Sequence, residues 1–254
     1  MVMTYIGNEQ QWKTLIEVDW LGQYIKAWIA FNAWYRNSFN LKYDWQIIEA
    51  IKNGGGNICA KVENLLVGNG SDQKSFQSNV ADLHRSLSDK VIRCENKRIS
   101  FEAVEDYQYA TTVDEKKNNV SYKIQIDVNG KKRMVTITKS NGIQILCETI
   151  SRKKEGDDLD TEKIASLSDA QKRTLDGFLN ESKPIHNLLD YQGDHLVIGS
   201  FNFINNTNLI ARAIIEILYQ LRNGLFHGEI TPDSETQPVY QPAYLILKSI
   251  IPGA

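Results

Sequence analysis

Apolar positions recur at helical spacing over several stretches of the chain. The first runs from about Val18 to Phe39, where Leu21, Tyr24, Ile25, Trp28, Phe31 and Tyr35 fall on one face. A second helix is expected from Trp45 to Lys52, ended by Asn53-Gly54-Gly55-Gly56-Asn57. A third begins near Ser71 or Asp72, whose side chains suit an N-cap, and turns Phe76, Val80, Leu83 and Leu87 inward. Farther on, Ser168 and Gln171 have capping-box spacing ahead of Leu175, Phe178 and Leu179. Pro184 opens a short helical stretch carrying His186. Near the C-terminus, Ile210, Ile214, Ile217, Leu218, Leu221 and Leu225 mark one apolar stripe, while Arg212, Glu216, Gln220, Asn223 and His227 follow at three- and four-residue intervals on another side.

Between residues 99 and 152 the period changes to two. Val120, Tyr122, Ile124, Ile126 and Val128 alternate with polar residues, and Asn129-Gly130 is a two-residue hairpin signal. Counting back from that turn pairs Ile124 with Val135 and Tyr122 with Ile137. A third strand follows Asn141-Gly142 through Ile143, Ile145 and Cys147. Charges and a glycine make Arg152 to Asp160 a linker, its aspartates lacking the glycine and distal glutamate of a calcium loop. The expected organisation is a helical domain, 1–98 and 160–254, with a hairpin or meander insertion at 99–155.

The 254 residues are 42% hydrophobic and 24% charged, enough for one large or two small domains. With a net charge of −2, RNA binding would need a local patch rather than a global excess. Arg85, Lys90, Arg93, Lys97 and Arg98 supply one candidate, although such a run also suits a solvated face. Cys59, Cys94 and Cys147 show neither zinc nor disulfide spacing, which points to a reducing, cytoplasmic setting. Met1 to Gln11 lacks the pattern of a secretory signal, and no run of eighteen apolar residues occurs, so no membrane partner is expected. No metal and no cofactor are expected: the glycines at 54–56 lack the Lys-Ser or Lys-Thr of a phosphate loop, and paired metal-ligand motifs are absent.

The candidate chemistry lies at Arg222-Asn223-Gly224-Leu225-Phe226-His227. On a continuing helix Asn223 sits one turn before His227, and Arg222 is displaced from His227 by roughly 140°, so both can reach one small anion. An imidazole can act as base or acid near neutrality, and a guanidinium can hold two phosphate oxygens. Asn223 would orient His227 or bond the phosphate. Gly224, poor in a helix interior, suggests close approach of another backbone or a ligand. Asn32 interrupts the apolar face of the first helix; it either caps a buried backbone group or looks into a polar pocket. Arg36, one turn on, could add a phosphate contact or simply meet solvent. His186 and His195 lack partners at catalytic spacing.

Arg222-Asn223 followed by His227, after an apolar lead-in, resembles the Arg-polar-x-x-x-His signature of HEPN (higher eukaryotes and prokaryotes nucleotide-binding) domains. Trp28-Ile29-Ala30-Phe31-Asn32-Ala33-Trp34-Tyr35 is similar to the first helix of bacterial members, and Val239 to Leu247 resembles the helix after their motif. The resemblance covers roughly residues 15–50 and 205–252. It implies a mainly α fold, an antiparallel helical bundle with a small antiparallel β-sheet insertion (α+β). It also implies a metal-independent endoribonuclease with Arg222, Asn223 and His227 as catalytic residues and Asn32 and Arg36 as substrate-binding ones. Its product would carry a 2′,3′-cyclic phosphate. The family further implies a homodimer facing two motifs across one cleft, and a toxin or antiviral effector with an antitoxin or regulatory partner. The competing expectation is a module that binds RNA, a nucleotide or a protein without cutting; a third is a purely structural helical domain.

Overall fold

The computed structural model describes residues 18–106, 112–126, 132–151, 164–182, 184–190 and 192–253. The chain divides into two compact units, residues 1–102 with 188–254, and residues 103–187. The expected breaks were at 98/99 and 155–160.

In the first unit, α1 (Trp20–Ser38) buries Leu21, Tyr24, Trp28, Phe31 and Tyr35, all but Ile25 of the face expected from its period. Asp19 caps its start by accepting from the Gly22 N–H at 2.9 Å. Next comes α2 (Asp44–Lys52), and Gly54 and Gly56, both at positive φ, turn the chain directly into α3 (Ile58–Val67). The α3 helix lies outside the expectations above: it buries Ile58, Cys59, Val62 and Leu66, but it is only ten residues long and hemmed by glycines on both sides. In α4 (Ser71–Asp89) the residues Phe76, Val80, Leu83 and Leu87 face inward as expected. Its N-cap is Gly70, so Ser71 and Asp72 are helical residues rather than caps.

A tight hairpin, β1 (Arg93–Cys94) and β2 (Lys97–Arg98), follows α4. After the second unit come β9 (His195–Ile198) and β10 (Phe201–Ile204), another antiparallel pair, then α6 (Thr207–Phe226) and α7 (Gln237–Ile250). Helix α7 packs on α1 and α4, and α6 on α2 and α3. Pro242, inside α7, has no N–H for the carbonyl of Pro238; Ser86 Oγ from α4 donates to that carbonyl instead, at 3.2 Å. His84 is buried among Phe101, Phe201 and Phe203 in edge-to-face contacts.

In the second unit β3 (Val104–Glu105) pairs with β8 (Ile185–His186), and β4 (Val113–Lys117), β5 (Val120–Ile126), β6 (Lys132–Lys139) and β7 (Gln144–Ser151) form an antiparallel sheet in that order. Tyr122 opposes Ile137 and Ile124 opposes Val135, the register read from the sequence, while the Asn129-Gly130 turn lies outside the described residues. A bulge at Ile137/Thr138 sets Leu146 opposite Ile137, so Leu146 is buried and Cys147 exposed. Helix α5 (Asp169–Glu181) covers one face of the sheet through Leu175 and Leu179. Its capping box is reciprocal: Ser168 N–H donates to Gln171 Oε1 at 2.9 Å and Gln171 N–H to Ser168 Oγ at 3.4 Å.

The expectation of a mainly α, antiparallel helical bundle is overturned. Among the described residues 51% are helical, in seven helices, and about 20% lie in small antiparallel sheets, so the fold is mixed α+β. Five of the strands, β1, β2, β8, β9 and β10, replace what was read as helix or left as connection. The Pro184 stretch is strand β8, not helix, because its partner β3 lies eighty residues away and no local period could reveal it. Strands of two to four residues are too short to show an alternation of their own. Arg152 to Asp160, read as a linker, and Met1 to Gln11 lie outside the described residues.

Candidate functional site

Helices α2 and α6 run antiparallel, clamped by charges at both ends. At one end Arg212 of α6 is fully buried and donates to the Lys52 carbonyl at 2.9 Å, to Asn53 Oδ1 at 2.8 Å and to Glu49 Oε1 at 3.3 Å. Lys52, itself buried, bridges Glu49 at 3.0 Å and Glu216 at 3.1 Å. At the other end Arg222 Nη2 meets Asp44 Oδ2 at 3.2 Å, and its Nη1 donates to Asn223 Oδ1 at 2.8 Å. Rise per residue accounts for the match: ten residues of α6 span ~15 Å, and the eight steps from Asp44 to Lys52 span ~12 Å. The stripe read as polar from the sequence is therefore partly an internal seam, with Arg212 wholly inside it.

Asp44 is the centre of the second clamp. Its carboxylate also pairs with Arg36 of α1, which donates further to the carbonyls of Leu41 at 3.3 Å and Lys42 at 3.0 Å. Arg36 and Arg222, on different helices, thus share one acid at the start of α2. The sequence reading missed Asp44; the signal was there, an acid at the first turn of a helix, where negative charge is favoured. Arg222 is further held between rings, its guanidinium carbon 4.6 Å from the Phe226 centroid and 6.0 Å from that of Trp28. Arg222 Nε and Trp28 Nε1 are both buried without an acceptor among the described residues.

Tyrosines surround this cluster. Tyr35 is pushed up to about 12, chiefly by burial and then by the Asp44 charge, against the two guanidiniums. Burial likewise raises Tyr219, while its hydrogen bond with Asn223 and the Arg222 charge pull the other way. Tyr24, raised well above its usual value by burial, donates to the Leu218 carbonyl at 2.5 Å, and Tyr240 donates to the Leu221 carbonyl at 3.2 Å. These bonds pin the last turns of α6 against α1 and α7. All four hydroxyls stay neutral around pH 7.

The helix ends at the motif. His227 is the C-cap of α6, its N–H bonded to the Asn223 carbonyl at 2.9 Å, and Gly228 follows at φ 70°, the left-handed conformation that terminates helices. His227 is exposed, so Arg222, Asn223 and His227 lie within the last turn and a half of one helix, Arg222 and Asn223 half-buried and His227 in solvent. Gly224 has a packing reason. A Cβ there would come within 2.4 Å of Ile230 Cδ1, and the Gly224 carbonyl accepts from Glu229 and Ile230 N–H groups at 2.9 and 3.1 Å. The closest neighbour is the Ile230 side chain, and a backbone also approaches, the Arg93 carbonyl oxygen lying 3.6 Å from that Cβ position.

Of the other candidates, Arg36 joins the site through Asp44. Asn32 is half-buried on α1 and takes no part in the cluster of ion pairs among the described residues. The basic run is largely engaged locally: Arg85 with Asp82 at 2.7 Å, Lys90 with Glu235 at 3.0 Å, and Arg93 and Arg98 with backbone carbonyls. No helix among the described residues is long and apolar enough to cross a membrane.

Comparison with protein-family models, curated proteins and solved structures gave no match.

Proposed function

We propose that this chain is a metal-independent endoribonuclease of HEPN type, acting in the cytoplasm as a toxin or antiviral effector. The observation that carries the reading is the arrangement of Arg222, Asn223 and His227 on one helix end: an arginine oriented by Asp44, Asn223 and two rings, beside a solvent-facing imidazole. Preorganised cationic donors are what a phosphoryl group developing charge requires. In the proposed reaction the RNA 2′-oxygen attacks the adjacent phosphorus and loses its proton to one His227. The bond to the 5′-oxygen breaks, and that oxygen takes a proton from a second imidazole. The products are a 2′,3′-cyclic phosphate and a 5′-hydroxyl. One chain offers a single imidazole here, so the second comes from another copy in a homodimer. An antitoxin or regulatory protein would cover the same helix end.

One observation favours a second reading, a non-catalytic module for RNA, a nucleotide or a protein. The Arg222 guanidinium is already paired with Asp44 within the chain. Purified protein is incubated with mixed cellular RNA in excess EDTA, beside His227→Ala and Arg222→Ala, and fragment ends are identified chemically. Cyclic-phosphate ends from the wild type alone support the enzyme. Intact RNA in every lane refutes it for the isolated chain and favours the module. A sedimentation profile that stays monomeric at all concentrations refutes the dimer.

A further inference from the structure

The start of α2 carries a second feature that the cleavage chemistry does not use. Residues 42–45 alternate about Asp44: the acid turns inward to Arg36 and Arg222, and Tyr43 and Trp45 turn out, 49% and 47% exposed. Their rings stack, with planes 10° apart and centroids 6.5 Å apart. Lys42 Nζ lies 5.1 Å from the Tyr43 centroid. Phe226, 56% exposed, lies against Arg222 on the same cluster. Single exposed apolar residues are ordinary, but two half-exposed rings stacked beside a charged cluster can take a further ring on the stack. The charge there selects it. Lys42, Arg36 and Arg222 against Asp44 leave two positive charges in a chain whose net charge is −2.

We propose that Tyr43 and Trp45 form a stacking platform for unpaired bases of an RNA strand, placed beside Arg222, Asn223 and His227 so that the strand's phosphate reaches them. The inference rests on the ribonuclease reading and narrows its substrate to single-stranded segments. A ring pair with adjoining cations is the arrangement that binds single strands without regard to sequence, since every base has a face to stack. In an A-form duplex the bases are already stacked on one another and the major groove is too narrow for side chains. A loop or an unpaired end can lay a base on Tyr43 or Trp45, with Lys42 and Arg36 meeting its phosphates.

The test uses full-length His227→Ala protein, to keep RNA intact, and a 5′-labelled single-stranded oligoribonucleotide followed by fluorescence anisotropy. Adding Tyr43→Ala and Trp45→Ala should weaken binding by about 5- to 150-fold for each base that stacks. Tyr43→Phe with Trp45→Phe should restore most of it, and the same sequence as a duplex should bind weakly to every variant. Equal affinity for the single strand with and without the two rings, in variants whose circular dichroism is unchanged, overturns the platform. So does a double variant that loses only self-association, which would assign the face to a second copy. The two readings fail separately. Cyclic-phosphate ends from the wild type with ring-independent affinity would leave the ribonuclease standing without its platform. Ring-dependent binding with no cleavage would leave the platform on a binding module.

Discussion

Replacing Arg212 by methionine tests whether the buried clamp holds α2 against α6. The side chain is fully buried and donates to three acceptors, two of them, the Lys52 carbonyl and Asn53 Oδ1, at the C-terminal end of α2. Hydrogen bonds to a charged group contribute about 1.5–3 kcal/mol each, but burying the guanidinium carries a desolvation cost that methionine does not. Removing Arg212 leaves the Lys52 carbonyl without its buried donor, whereas Asn53 and Glu49 can turn to water, so the net cost should be about 1.5–3 kcal/mol. For a protein of this size each kcal/mol moves the melting temperature by about 2–4 °C, so Arg212→Met should lower Tm by roughly 3–12 °C. Glu49→Gln supplies the contrast. Glu49 is 45% exposed, so its share should stay below about 1 kcal/mol. Thermal unfolding followed by circular dichroism reads both. An Arg212→Met protein melting within 2 °C of wild type, or a Glu49→Gln loss equal to it, would refute the assignment of the stability to Arg212.

Arg222→Lys keeps the charge but loses the fork that meets Asp44 and Asn223 together, so cleavage should fall by at least about 100-fold while Tm changes little; near-normal activity would count against a bidentate role. His84 is held below its usual range by burial, an effect opposed by Glu102 and aided by Arg85. As pH falls below about 6.5 the unfolded chain takes up a proton that the folded one refuses, so this stability is present above that pH and lost toward the lower folded value. Wild type should accordingly lose Tm relative to His84→Leu between pH 7 and 5, and a constant difference would contradict this. Gly224→Ala should gain ~1 kcal/mol in helix propensity yet lose about 1–3 kcal/mol to the overlap with Ile230 Cδ1. Adding Ile230→Val, which removes Cδ1 but keeps Cγ1 at 2.8 Å, should recover only part of the loss, and a raised Tm for Gly224→Ala alone would show that Ile230 moves aside freely.

The sequence by itself determined what local backbone geometry controls. The inward face of α1, the capping box at Ser168 and Gln171, and the pairing of Tyr122 with Ile137 are set by periods of 3.6 and 2 and by turn length, all readable within a dozen residues. The placement of Arg222, Asn223 and His227 on one helix end was legible for the same reason. Tertiary structure decided the rest. Whether a charge faces water or a buried partner depends on residues far away in the chain: Arg212 looks like any member of a polar stripe until α2 lies over it, and Asp44 is 178 residues from the arginine it orients. The change from a helical bundle to a mixed fold has the same origin, since β3 and β8 each have two residues and exist as strands only through a partner that folding brings to them. Pairwise contacts between distant segments carry no periodic trace in either segment alone, so only the folded chain reveals them.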